Sequence, residues 1–348
     1  MSAPAALAPT PRPGTFVISL DFELMWGVRD VHTKETYGAN ILGVRRAIPS
    51  MLDLFAEFGL SATWATVGLL FFETKAELLA GLPAVRPAYA DANLSNYVAL
   101  PELGPNEDAD PYYFGRALLD RIRAVPGQEV ATHTFSHYYC QEPGQTAEAF
   151  RHDLAAAVAA AQAQGVALRS LVFPRNQYNQ AYLDICREAG ITSYRGNEAA
   201  WMYRKTNEAA QTPWQRAARL LDAYVDLSGP NCADPAELAR SFPFNIPASR
   251  FLRPWSARLR AGEGLRLRRI LAGLTHAARH GQVFHLWWHP HNFGAHLAEN
   301  MAVLRAIAVH YKALQQQYGL RSRTMSELAD ELAAFDRHPS VAQPTSTP

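Results

Sequence analysis

About seven or eight times along the chain, a short apolar, β-rich run gives way to a helix-like segment. TFVISL (15–20), SATWATV (61–67), QEVAT (128–132), LRSLVF (168–173), ITSYR (191–195) and QVFHLWWH (282–289) are the clearest strands. Helical patterns follow them, among them IPSMLDLFAEFGL, the alanine-rich AEAFRHDLAAAVAAAQAQG closed by Gly165, and a long helix near 297–317. Strands that alternate with helices must be parallel, because each helix carries the chain back across the sheet. That many units in roughly 320 residues predict an α/β fold: a distorted (β/α) barrel of about seven parallel strands in a single domain. Residues 1–13 read as a flexible arm, 14–335 as the barrel, and 336–348 as a disordered tail. Two stretches, near 82–110 and 228–262, interrupt the rhythm and read as loop insertions over one face.

Composition narrows the class. Of 348 residues, 33 are basic and 32 acidic, a formal charge of +1. That balance argues against a nucleic-acid footprint. No apolar run is long enough to span a membrane. The start, MSAPAALAPTPRPG, lacks the pattern of a signal peptide, and Cys140, Cys186 and Cys232 are few and scattered. A cytoplasmic chain with reduced thiols is the expectation. The oligomeric state is not legible.

In such a barrel, chemistry collects at the C-terminal ends of the strands. Period-two alternation in VISLDFELMWG puts Phe16, Ile18, Leu20 and Phe22 on one face and Val17, Ser19, Asp21 and Glu23 on the other. Two inward acids need a cation or another partner. After QEVAT come His133 and His137, spaced to meet one ion if the segment makes a helical turn; imidazole suits Zn, Fe, Ni or Co. In VFHLWWHPHNFG, His289 ends a strand before Pro290, His291 lies just beyond, and His285 reads as a core histidine. In LVFPRNQYN, Arg175 and Asn176 follow an apolar run, where an arginine at an acidic rim could grip a carboxylate.

With these pieces in place the chain resembles the polysaccharide deacetylase family, carbohydrate esterase family 4, over roughly residues 15–330. The family's His-Ser/Thr-x-x-His motif matches His133-Thr134-Phe135-Ser136-His137; its acidic motif matches Asp21 and Glu23 in a looser, spaced form; its late histidine motif matches Leu286-Trp287-Trp288-His289. The resemblance implies a distorted barrel and a metal-dependent hydrolase that removes an N-acyl group, N-acetyl first, from an amino sugar of a surface polysaccharide or its precursor, which could be nucleotide- or lipid-linked. It implies Glu23, His133 and His137 as ligands of a divalent ion, zinc first with cobalt, nickel or iron as alternatives. Asp21 would be the base, an exchange of roles with Glu23 being the alternative, and His289 the acid. Arg175 would hold Asp21 ionised, although here the arginine follows the proline that it precedes in the family motif. The family's fourth motif has no counterpart beyond Tyr194-Arg195-Gly196-Asn197-Glu198 at about its place. Trp26, Tyr138, Asn176, Trp287 and His291 are the expected substrate contacts. A sugar deformylase or cyclic-amide hydrolase on the same scaffold, and a non-catalytic sugar-binding module, are the competing readings.

Overall fold

A computed structural model describes residues 12–198, 200–203 and 212–336 of the chain. Residues 1–11 of the expected arm and 337–348 of the expected tail lie outside them.

The strands are β1 (Thr15–Phe22), β2 (Ala62–Thr66), β3 (Gln128–Thr132), β4 (Ser170–Val172), β5 (Ser193–Arg195), β6 (Phe244–Asn245), β7 (Arg250–Phe251), β8 (Val283–Trp288) and β9 (Arg321–Arg323). The helices are α1 (Lys34–Phe58), α2 (Lys75–Ala80), α3 (Arg116–Ala124), α4 (Ala147–Gln162), α5 (Leu183–Glu188), α6 (Pro213–Asp222), α7 (Pro235–Leu238), α8 (Glu263–His280), α9 (Leu297–Tyr318) and α10 (Met325–Asp336). Among the described residues the sheet runs β6-β5-β4-β3-β2-β1-β8-β7, and β9 lies against the first residues of β1. Every pair is parallel. This is the curled parallel sheet with outer helices that the alternation predicts, with eight strands on its path against about seven expected.

The two faces of β1 explain the curl. Phe16, Ile18, Leu20 and Phe22 enter the large apolar layer between sheet and helices, with Met51 and Phe55 of α1 and Leu304 and Ile307 of α9. Val17 points inward and joins Ala65, Val172, Phe244 and Ile246. Met325, Leu328 and Leu332 of α10 plug that interior from the bottom. Burial of each such side chain contributes about 1.5–3 kcal/mol, enough to make a slip of one residue prohibitive. The half-buried Glu129 carboxylate fixes the plug: it accepts from the Ser326 amide (3.1 Å), Thr63 Oγ1 (2.7 Å) and Ser170 Oγ (2.6 Å).

The stretch 228–262, expected as a loop insertion, contains β6 and β7 and ties the two ends of the sheet together. Ile246 and Ala248 donate to the carbonyls of Tyr194 and Gly196 at the β5 edge, while Ser249 and Leu252 donate to those of His285 and Trp287 on β8. The other stretch, 82–110, braces the top. The Asn96 side-chain amide donates to the carbonyls of Trp26 (2.7 Å) and Ser136 (2.9 Å), joining the loops after β1 and β3.

Candidate metal and acid–base site

The strand ends converge as the alternation requires. Glu23 follows β1, in a turn whose next residue, Leu24, has a left-handed backbone (φ 49°). Its carboxylate fits because residue 27 is glycine: a Cβ there would lie 2.0 Å from Glu23 Cδ. Glu23 Oε2 lies 3.3 Å from His133 Nε2 and 3.2 Å from His137 Nε2. All three side chains are buried, with candidate ligand atoms within 4.8 Å of one another.

The His133–His137 segment is not the helical turn that its spacing suggests. Thr134 and His137 have positive φ (62° and 59°), a conformation that non-glycine residues hold only when their surroundings impose it. Asp153 on α4 does so. Its carboxylate accepts from the amides of Phe135 (2.7 Å) and Ser136 (3.1 Å) and from Ser136 Oγ (2.5 Å). Thr134 Oγ1 accepts from the Tyr138 amide (2.7 Å). Against the loop's other side lies Gly68, where a Cβ would come within 2.8 Å of the Phe135 Cα.

The hydrogen-bond pattern tests whether a cation fits. His133 Nδ1 donates to the Val172 carbonyl (2.8 Å), which leaves the Nε2 lone pair facing the Glu23 carboxylate. Burial lowers the pKa of His137 despite the nearby Glu23 carboxylate, which favours its neutral, ligating form. Burial pushes the Glu23 carboxyl up, but the surrounding His289, His133 and His137 hold it well below the usual range. Acceptors thus face one another, an arrangement that a divalent ion resolves.

Asp21, the last inward residue of β1, is held by Arg195. The guanidinium donates Nη1 to Oδ1 and Nη2 to Oδ2, each at 2.7 Å, and lies over the Trp287 ring at 4.1 Å. Burial raises the Asp21 carboxyl, but Arg195, with His133 and His289, brings it below its ordinary value. Arg195 also donates to Ser19 Oγ (3.0 Å) and to Asn176 Oδ1 (2.8 Å). Beneath it, His285 Nδ1 donates to the Ile246 carbonyl (3.1 Å), so Nε2 accepts from Ser19 Oγ (2.8 Å). Burial, then Arg195, lowers the pKa of His285 to about 3, and this core histidine stays neutral.

This corrects the sequence expectation for Arg175. Its backbone is left-handed (φ 54°), and its side chain pairs with Asp30 and Glu142 and lies over the Tyr139 ring. The partner of Asp21 is Arg195, at the end of β5. The signal was present: Ser193 and Arg195 share the inward face of ITSYR, just as Ser19 and Asp21 share that of β1.

His289, at the end of β8, is a quarter exposed, with Nε2 3.7 Å from Asp21 Oδ2 and 3.8 Å from Glu23 Oε1. Its ring stacks on His291 (4.9 Å between centroids) and meets Trp287 and Phe251 edge-on. Trp287 and His289 line a pocket of about 270 Å³.

Four expected substrate contacts have other work. Trp26 is buried and donates Nε1 to the Tyr113 carbonyl (2.7 Å). Tyr138 is buried among Phe150 and Tyr89 and donates to the Thr146 carbonyl (2.8 Å). Asn176 is buried beside Arg195, and its amide N–H is spent on the Phe173 carbonyl (2.9 Å). His291 is buried beneath His289, with Tyr37 edge-on to its other side; burial, then His289, lowers its pKa to about 3. Of the five, Trp287 and Asn176 line the pocket.

Two carboxylates, two clustered histidines and a third histidine thus meet at the strand ends of a (β/α) barrel. Residues 37–194 match the family model described as Polysaccharide deacetylase, which bears out the resemblance read from the motifs. That span includes the histidine loop; Asp21, Glu23 and His289 lie outside it. No curated protein matches the sequence. Among solved structures, one from Mycobacterium smegmatis described as a polysaccharide deacetylase is 14% identical, with a TM-score of 0.55 over 98% of this chain and 99% of that one. A Pseudomonas aeruginosa structure described in the same terms is 11% identical, with a TM-score of 0.54 over 94% and 92%. A 4-alpha-glucanotransferase from Thermococcus litoralis is 12% identical, with a TM-score of 0.51 over 92% of this chain and 40% of its own. At such identities the likeness is one of fold, and the glucanotransferase illustrates that one fold serves several reactions. Among the described residues, no helix is long and apolar enough to cross a membrane.

Proposed function

We propose that the chain is a metal-dependent hydrolase that removes an N-acyl group, N-acetyl first, from an amino sugar of a surface polysaccharide or of its nucleotide- or lipid-linked precursor. The observation that carries this reading is the buried Glu23, His133 and His137 cluster set directly against the Arg195-held Asp21. Those three side chains would hold the ion, with zinc best suited and cobalt, nickel or iron as substitutes. When bound, such an ion supplies Lewis acidity and lowers the pKa of a coordinated water toward about 7.

The remaining chemistry belongs to the protein. Asp21, kept ionised by Arg195, is the base that receives the proton of the attacking water. His289 faces both carboxylates from the one partly open side, where it can hand a proton to the departing amine. An amine is a poor leaving group, so this proton matters more here than in ester cleavage. Trp287 and Phe251 offer aromatic edges beside His289 for a sugar ring.

The test is release of acyl product from N-acetyl and N-formyl amino sugars with added zinc or cobalt and with a chelator. Acetate release abolished by chelation is expected. Formate release alone would make the chain a deformylase on this scaffold. Sugar binding without turnover under any divalent metal would overturn the enzymatic reading.

A further inference from the structure

The pocket beside His289 is rich in cations. Arg219, Arg250, Arg253 and Glu198 are the charged groups in its wall, with Trp287 and Phe251 as the aromatic ones. Arg250 is matched: its Nη1 donates to Asp222 Oδ2 at 2.7 Å. Even so, Arg250 Nε is buried without an acceptor, as is Trp287 Nε1. Glu198 acts electrostatically on Arg219. That leaves Arg253, which has no carboxylate within ion-pair distance among the described residues. Burial lowers the Arg253 pKa, against the neighbouring Tyr203 and Tyr224 and with Arg219 and Arg266. A half-buried cation without a counter-ion is costly.

We propose that this pocket is an anion subsite, with Arg253 as its anchor, and that the amino-sugar substrate bears a phosphate ester that binds there while its acyl group lies at Asp21 and His289. The inference rests on the deacylation reading for the second half of that sentence only. A planar guanidinium matches two phosphate oxygens at once. The source of the phosphate is a nucleoside diphosphate or a lipid phosphate carrying the sugar. Its neighbour is the apolar wall of Phe251 and Trp287, suited to the ring between phosphate and amide. The finished, neutral polymer has nothing to offer Arg253.

Two measurements separate this inference from the reading beneath it. First, calorimetric titration of inorganic pyrophosphate into the purified full chain, beside Arg253→Ala and Arg253→Lys, needs no turnover. Wild type is expected to bind; Arg253→Ala to weaken binding at least tenfold; Arg253→Lys to recover part of it. Equal binding by wild type and Arg253→Ala, or no binding by wild type, overturns the subsite even if the enzyme deacetylates. Second, kcat/KM is compared for N-acetylglucosamine, its 1-phosphate, its uridine diphosphate form and a polyprenyl-diphosphate form. A preference for any phosphorylated form, reduced at least tenfold in Arg253→Ala, supports the assignment, and the preferred form names the source. No preference over the neutral sugar overturns it. Absence of any turnover with pyrophosphate binding intact would fault the deacylation reading and leave the subsite standing.

Discussion

The Arg195 guanidinium and the Asp21 carboxylate meet through two parallel hydrogen bonds of 2.7 Å, across 174 positions of sequence and the full width of the barrel mouth. Both side chains are buried. Arg195 is itself positioned by Ser19, Asn176 and the Trp287 ring, so the carboxylate that the proposal makes the base has one orientation and one charge.

Removing that arginine tests the pairing. Arg195→Ala leaves a buried carboxylate without a counter-ion, a loss of about 3–5 kcal/mol. Because the folded Asp21 pKa lies below its ordinary value, the pair stabilises the protein above the usual carboxylate range and loses that contribution as pH falls. Without Arg195, burial raises the Asp21 pKa, and the acid limb of kcat/KM should move to higher pH. Arg195→Lys keeps the charge without the fork and should fall between. Arg175→Ala should leave the limb in place. Urea melts and pH–rate profiles read all three.

Gly27 is predicted to matter through Glu23. Gly27→Ala places a methyl group where the Glu23 carboxyl now lies, and the side chain must swing away. Displacing an oriented ligand in this way should lower metal affinity about 10–100-fold with little change in secondary structure. Competition with a chromogenic chelator measures it, and circular dichroism checks the fold.

His289 has a different signature. His289→Gln removes the proton donor but none of the proposed ligands. Turnover of an N-acetyl sugar should fall about 10²–10⁴-fold while metal content holds. A variant that loses metal as well would place His289 among the ligands.

Asp153 gives a stability prediction with a sign. Burial raises its pKa to about 6, above the value of an unfolded aspartate, so the folded state holds this proton more tightly. The linkage favours the native state at low pH and weakens as pH rises from about 4 to about 6, by an amount on the order of 3 kcal/mol. Asp153→Asn should lose this pH dependence. It should also lose about 1–3 kcal/mol outright, since one amide oxygen cannot accept from Phe135 and Ser136 together. Chemical denaturation at pH 4.5 and pH 7 compares the two.

What the sequence made legible was local. Alternation in VISLDFELMWG was enough to turn Asp21 and Glu23 inward, because period two is a property of any strand. The spacing of His133 and His137 brought them together, although the backbone between them is a strained loop pinned by Asp153 and not a helical turn. Arg175 misled because its left-handed backbone swings the side chain to Asp30, which no neighbouring residue announces. Arg195 was hidden because its partner lies four strands away, a relation set by sheet order alone. Trp26 and Tyr138 have the composition of a sugar platform, but the 82–110 stretch and α4 cover them. The 228–262 stretch read as a loop insertion because β6 and β7 are two residues each, too short to show any period.

The central claim is that Glu23, His133 and His137 form a metal centre. Elemental analysis of purified wild type beside His137→Ala, after equilibration with zinc and removal of loose ions, tests it most directly. Near one divalent ion per wild-type chain and close to none in the folded variant is the predicted result. A variant that keeps the wild-type metal content would contradict it.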